Sequence, residues 1–210
     1  DELALTRALE IKEGSGGKVS SITVATVGLA DVEPTMRKAL AIGADDAIRV
    51  NAEPVDSWFV ASQIAHYAVE GNFDLILMGR ESSDFNSGVV HGMVGAMLDM
   101  PAISPVMQLD IQGDKVLMSR EIEGGKEFLE GSLPLVAGCQ EPIAEWKIPN
   151  MRGIMTARTK PLSVVDPVAV DTLAETAGFE LPPPKAAIKM IDADDPAQLI
   201  ELLKTEAKVL

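Results

Sequence analysis

Residues Asp74 to Leu98 read DLILMGRESSDFNSGVVHGMVGAML, and this stretch constrains the fold more than any other. Leu75 to Met78 form an unbroken apolar run that closes on Gly79. A strand buried on both faces of a parallel sheet has this composition, because neither face meets water. Mostly small or polar residues follow, and then Met93, Val94, Met97 and Leu98 recur at helical spacing. A strand that empties through a Gly/Ser/Asp loop into a helix start is where α/β sheets bind nucleotides. Free backbone N–H groups and the positive helix end favour phosphate there.

The sequence before it repeats the alternation. Asp1 and Glu2 suit the first turn of a helix carrying Leu5, Ala8, Leu9 and Lys12, which ends at Gly14. An α/β domain that opens on a helix lacks its usual first strand, so an N-terminal strand is expected to be missing from this sequence. Lys18 to Val27 reads as a strand, with Val19, Ile22, Val24 and Val27. Gly17-Lys18 is not a P-loop, because it precedes a strand and no Ser or Thr follows the Lys. Asp31 is expected to cap the next helix, with Pro34 in its first turn, Met36, Ala39 and Leu40 as its apolar stripe and Gly43 at its end. Ala47 to Val50 is a short strand, and Asp56 caps a helix that turns Phe59, Ile64 and Tyr67 to the core. Strands and helices alternating at this spacing imply right-handed crossovers and a parallel sheet.

After Pro101 the pattern changes. Ala102–Ile111, Lys115–Ile122 and Lys126–Gly138 are three strand-like runs, joined by Gly113-Asp114 and Glu123-Gly124-Gly125 as hairpin turns. Gln140 to Pro161 reads as one long irregular loop, and such loops in compact domains are usually functional. From Pro167 a short helical piece leads to Leu181-Pro-Pro-Pro184, a stiff linker. The last helix runs from Asp195 or Pro196 to Val209 with Leu199, Leu202 and Leu203 on one face, a surface suited to docking on a partner subunit. The expected architecture is a Rossmann-like α/β domain over residues 1–162: a parallel sheet with helices on both faces and an antiparallel hairpin extension. Residues 163–210 form a C-terminal arm.

Charge and residue inventory narrow the chemistry. A net charge of −14 argues against nucleic acid or an anionic membrane surface as the main partner. No apolar run approaches the roughly 18 residues that cross a bilayer, and no targeting segment is visible. The lone cysteine, Cys139, excludes an intrachain disulfide framework and a cysteine-cluster metal site. The reading is a soluble protein of a reducing compartment. His66 and His91 have no second ligand at zinc spacing. No Gly-x-Ser-x-Gly elbow is present, and Glu121 and Glu123 share a solvated strand face. The chain is built to bind rather than to transform.

Several stretches together resemble the β subunit of electron transfer flavoprotein. Ala39-Leu-Ala-Ile-Gly-Ala-Asp45 is similar to its Ala/Gly helix end, and Asp74–Gly79 followed by Asp84 to its nucleotide strand and loop. Arg120-Glu-Ile-Glu-Gly-Gly-Lys-Glu127 and Leu133-Pro-Leu-Val136 resemble its signature hairpin. Glu141-Pro142, Ile148-Pro149-Asn150, Ile154-Met155 and Ala157-Arg-Thr-Lys160 resemble its partner-recognition loop. The resemblance covers Asp1 to Leu162 well and the C-terminal arm loosely.

The resemblance implies an electron-carrier subunit without catalytic residues of its own, paired with an α subunit that holds the redox FAD. The β subunit of this family holds an adenine nucleotide, usually AMP and in some members a second FAD. Electrons pass from dehydrogenases, such as acyl-CoA dehydrogenases, to a quinone oxidoreductase or similar acceptor. The implied location is cytoplasmic, or the mitochondrial matrix in a eukaryote, without membrane insertion. Implied nucleotide contacts are Val27, Gly28, Gly79, Asp84, Asn86, Ser87, Gly88, Val89 and Val90. Implied docking residues are Ile148, Pro149, Asn150 and Met151, with Ile148 as the anchor where the family often has Leu. The phosphate loop departs from the family's Asp-Asp-Asp-x-Asn-Gln-Thr-Gly, because Val89 and Val90 replace an amide and a hydroxyl. Two alternatives stay open at this point: a bifurcating flavoprotein subunit fed by NADH, and a stand-alone adenine-nucleotide-binding regulatory domain.

Overall fold

The computed structural model describes residues 1–185 and 187–210. They divide into two units, Asp1–Glu175 and Thr176–Leu210. The first unit begins with α1 (Glu2–Gly14), then β1 (Thr23–Val27), α2 (Glu33–Ile42), β2 (Asp46–Val50), α3 (Ser57–Gly71), β3 (Leu75–Gly79) and α4 (Val90–Leu98). It continues with β4 (Ala102–Gln112), β5 (Lys115–Ile122), β6 (Gly125–Gly131), β7 (Leu135–Cys139), α5 (Met151–Ala157) and β8 (Leu162–Val165). Two sheets result. Sheet A is parallel, in the order β1-β2-β8. Sheet B has the order β3-β7-β4-β5-β6, parallel across its first three strands and antiparallel across its last three. The α/β expectation therefore holds, with the antiparallel hairpins as the extension.

Alternation along each strand divides the core between two faces. On one face Leu5 and Leu9 of α1 pack with Met36 and Leu40 of α2 over Ala47 of β2. Ala4 of α1 packs there too, with Leu135 and Ala137 of β7 and Leu109 of β4. On the other face Phe59 of α3 lies over Val27 and Val50, while Ala61 of α3 and Val94 of α4 meet Val136. Leu40, Leu109 and Leu135 are almost wholly buried. Truncating such a leucine to alanine costs roughly 2–5 kcal/mol.

Caps and breaks explain most element ends. Asp56 caps α3 by accepting the Phe59 N–H at 2.6 Å, as expected from sequence. Its other oxygen accepts the N–H groups of Leu173 at 2.6 Å and Ala174 at 2.8 Å, so one carboxylate joins the helix to the segment after β8. These bonds, led by Phe59, hold the Asp56 carboxyl below its ordinary value of 3.8. A folded-state value below the unfolded one stabilises above the unfolded value and is lost as pH falls through the folded value. Asp56→Ala is expected to cost about 1–2 kcal/mol near neutral pH. In urea melts that gap should narrow below about pH 3.8, which is the check.

Asp31 does not cap α2. It lies in a short 3-10 turn, Ala30–Val32, and Val32 occupies the cap position with no side-chain bond; Pro34 does sit in the first turn of α2. The run Lys126–Gly138 is two strands, not one, because Ser132-Leu133-Pro134 separates β6 from a β7 that runs parallel to its neighbours. β3 is half-buried along its length instead of enclosed, because it is an edge strand. The loop after Gln140 contains a short helix, α5, and the piece after Pro167 is not helical. No described helix is long and apolar enough to cross a membrane.

The second unit holds α6 (Pro196–Thr205). Asp195 caps α6 by accepting the Gln198 N–H, and Lys189 pairs with Glu206 at 2.5 Å. Leu199 and Ile200 are about half exposed, and no residue of α6 is buried.

Candidate functional site

Two surfaces collect the residues expected to act. The first lies where β3 ends. Arg80 leaves the strand with its N–H on the Cys139 carbonyl. Its guanidinium donates to Gln140 Oε1 at 2.7 Å and pairs with Glu81, and Gln140 Nε2 donates to Glu121 Oε2 at 2.7 Å. The loop then folds on itself. Asn86 N–H reaches the Ser82 carbonyl at 2.9 Å, and Asp84 Oδ1 accepts the Phe85 N–H at 2.9 Å. A bond from Ser82, then that from Phe85, keeps the Asp84 carboxyl below its ordinary value, so it is ionised near neutrality.

Asn86 at φ 55 and Gly88 at φ 60 both adopt the left-handed region. Successive N–H groups around such residues form a concavity that receives anions. The N-terminus of α4 follows directly and has no side-chain cap, so its first N–H groups are free. Ser87 Oγ lies 3.1 Å from Ser57 Oγ at the start of α3, and Phe59 in the same turn packs on Val27. One helical turn thus bridges two of the expected nucleotide edges, Val27 and Ser87. Gly28 donates its N–H to the Val50 carbonyl at 3.0 Å, and its α-carbon faces Val32.

The donor set fits one anionic group at the α4 start, supplied by Ser87, Ser57 and backbone N–H groups. Val89 is 40% exposed and offers only apolar contact. The nearest side-chain carboxylate to Gly88 is Glu81, already engaged by Arg80. His91, half-buried, is held below its ordinary value by burial, partly offset by its bond to the Arg80 backbone, and so stays neutral near pH 7. Among the expected contacts Gly79 also lines a cleft of about 250 Å³, with Asp1–Ala4, Arg80, Glu81, Cys139 and Gln140. That is smaller than the roughly 300–1,000 Å³ typical of small-molecule sites.

Cys139 is buried, and burial pushes its thiol up to about 12. Alkylation needs the thiolate. Incubation with iodoacetamide near pH 8 should therefore leave Cys139 unmodified in the folded protein and modify it fully in urea, read by intact mass.

The second surface is the segment between β7 and β8, which is fastened at both ends. At its start the Lys147 N–H donates to Thr6 Oγ1 of α1 at 3.2 Å, and Lys147 Nζ meets Glu13 at 3.1 Å. At its end Lys160 Nζ donates to the carbonyls of Leu40 at 3.0 Å and Ala44 at 2.5 Å, where α2 leaves acceptors free. Arg37 of α2 donates to the carbonyls of Ala157 at 2.9 Å and Lys160 at 2.8 Å. Between these anchors Ile148 is 74% exposed and Met151 74%.

Asn150 accepts the Gly153 N–H at 2.8 Å and caps α5, so its work is to shape the segment. Trp146, 56% exposed, and Met155, 70% exposed, are further exposed apolar side chains of this segment. The sequence reading named neither as a docking residue, although Met155 stood in a stretch that resembles the recognition loop. The Met151/Met155 spacing of four, one helical face, was the available signal, hidden because the segment was read as loop.

Comparison with known proteins identifies the family. The model of the electron transfer flavoprotein domain matches residues 1–170. The electron transfer flavoprotein subunit beta of Bacillus subtilis strain 168 is 34% identical over 224 aligned residues, spanning 100% of this chain and 86% of that protein. The subunit of the same name from Syntrophomonas wolfei is 33% identical, over 100% of this chain and 84% of the relative. A probable one from Schizosaccharomyces pombe is 28% identical, over 97% of this chain and 82% of the relative. With the family model matching most of the chain and relatives of 33–34% identity aligning over the whole of it, the chain belongs to the electron transfer flavoprotein family.

Proposed function

We propose that the chain is the β subunit of a heterodimeric electron carrier, holding an adenine nucleotide and docking the electron donor. The α partner would hold the FAD, which supplies the one-electron redox chemistry. On this chain Ser57, Ser87 and the N–H groups around Gly88 and α4 would hold the nucleotide phosphate, while Val27 and Val89 would contact its apolar parts. AMP is the expected occupant. Ile148, with Met151 and the neighbouring Pro149, would enter an apolar pocket on an acyl-CoA or related dehydrogenase, and the reduced carrier would pass electrons to a quinone oxidoreductase.

The observation that supports this reading best is the staked segment Lys147–Lys160. It exposes Ile148, Met151 and Met155 while both its ends are tied into α1 and α2. A free apolar surface on a pre-ordered support favours a transient complex, because little ordering entropy opposes docking. The test is co-expression with a candidate α subunit, followed by mixing the purified heterodimer with a substrate-reduced acyl-CoA dehydrogenase. Flavin reduction in the heterodimer is the expected result, and failure to form any α complex sinks the proposal.

A further inference from the structure

The chain carries 10 methionines, and the fold sorts them. Met36 and Met118 are each 5% exposed and belong to the cores that α1 covers. Met78, Met93, Met97 and Met100 pack around Ala61, Val94 and Val136, and Met107 is half-buried in β4. Those that stand out in solvent are Met151, Met155 and Met190. Met190 belongs to the second unit. Met151 and Met155 fall together on α5, four residues apart, so they lie one above the other on a single face.

The seating of α5 holds both sulfurs outward. Asn150 caps the helix at its start, and Arg37 and Lys160 tie its end to α2. Gly153 marks the face turned to α2, because a β-carbon there would lie 2.2 Å from the Ala41 carbonyl oxygen. Met151 and Met155 stand two residues to either side of Gly153. At 3.6 residues per turn that is about 200° around the helix, and their exposures of 74% and 70% agree with it.

A thioether held in that position has a chemistry its apolar neighbours lack. Ile148 and Ile154 are exposed on the same segment, but they carry no group that a mild oxidant attacks. Methionine sulfur is converted to the sulfoxide, which is polar and chiral and is returned to the thioether by methionine sulfoxide reductases. Susceptibility follows exposure, so the fold itself selects which methionines react.

We propose that Met151 and Met155 form a paired oxidation site, and that their sulfoxides release this chain from its electron donor. The oxidant is a hydroperoxide, hydrogen peroxide in the simplest case. The thioether sulfur attacks one peroxide oxygen, the O–O bond breaks, and the sulfur gives up two electrons as the S–O bond forms. The displaced hydroxide takes the proton of the transferred hydroxyl and leaves as water. Both sulfurs are outside the core, so the fold is untouched and the product stays open to a reductase. On the proposed docking face two apolar contacts become two dipoles that an apolar pocket cannot pair. The oxidation half rests on exposure and spacing, and the release half rests on the function proposed above.

The test treats the purified heterodimer with hydrogen peroxide and removes the excess with catalase. Peptide mass mapping and flavin reduction by a substrate-reduced acyl-CoA dehydrogenase follow. Met151 and Met155 should each gain one oxygen while Met36 and Met118 stay intact. Reduction at subsaturating concentration should slow about tenfold for each sulfoxide left unpaired, and methionine sulfoxide reductases should restore it. Each variant is compared with its own untreated rate. Treatment should leave the rate of Met151→Leu/Met155→Leu unchanged and should slow Met190→Leu as it slows the parent. Slowing of the double leucine variant overturns the proposal, assigning the effect to another residue. Oxidation of Met36 and Met118 alongside the α5 pair, or an α5 pair that does not oxidise, also overturns it. If both sulfoxides form and the rate holds while Ile148→Asp slows transfer, the release half falls and the docking function stands. If Ile148→Asp does not slow transfer either, the docking function falls with it.

Discussion

Ile148→Asp is expected to slow electron transfer from the dehydrogenase by roughly 10- to 150-fold at subsaturating concentration. Burying an isoleucine side chain contributes about 1.5–3 kcal/mol, and each 1.4 kcal/mol is about tenfold in affinity. A carboxylate entering an apolar pocket adds a desolvation cost, so the upper part of that range is the better guide. Ile148 is 74% exposed, so folding loses little by the change. Flavin content and melting temperature should therefore match the parent. Stopped-flow reduction checks the rate, and the flavin spectrum checks the control. A loss of flavin with the rate per flavin unchanged would show that the segment supports the fold rather than the complex.

Gly153→Ala should disturb the same surface from below. A β-carbon at Gly153 would lie 2.2 Å from the Ala41 carbonyl oxygen, and both groups are held by helix backbone. One helix must shift, so α5 is expected to lift from α2 at a cost of about 1–3 kcal/mol. The lift would strain the Arg37 and Lys160 bonds and move Met151 and Met155 together. A lowered melting temperature with docking weakened at least as much as in Met151→Ala is the expected result. An unchanged melting temperature would mean that α2 accommodates the methyl group.

How much of this was legible in sequence depends on whether local or long-range physics decided each feature. Asp56 and Asn150 are caps fixed by their own neighbours, and the Asp56 cap could be read directly. The alternation of β1, α2, β2, α3 and β3 came from spacing alone, because each apolar stripe serves one core face. The edge position of β3 could not be read that way. Its Leu-Ile-Leu-Met run is the composition of an enclosed strand, and only the pairing order shows that, among the described residues, it ladders on one side alone, with β7. β8 was missed because Leu162–Val165 has four residues and draws its partner, β2, from more than a hundred positions away. α5 was missed because seven residues beginning after Pro149 give too few turns for a period to emerge.

The candidate site divides along the same line. Ile148 was singled out by the resemblance of its stretch to the family's recognition loop, and the Gly/Ser character of the loop after β3 was apparent from residue type. The tie from Ser57 to Ser87 and the fastening of the Lys147–Lys160 segment by Thr6, Arg37 and Lys160 emerge only in the folded chain, because their partners lie far apart in sequence. The phosphate loop is the place where family pattern and residues diverge. Val89 and Val90 remove two polar contacts, and the free N–H groups of α4 and the left-handed Asn86 and Gly88 are what remain to receive an anion.

The proposed function divides the labour, with the redox flavin on the α partner and a structural nucleotide on this chain. The direct measurement is the cofactor content of the purified heterodimer, released by denaturation and quantified by chromatography. One FAD and one AMP per heterodimer is the predicted result. Two FAD and no AMP would contradict it, placing a second redox flavin in the pocket assigned here to a nucleotide that takes no part in electron transfer.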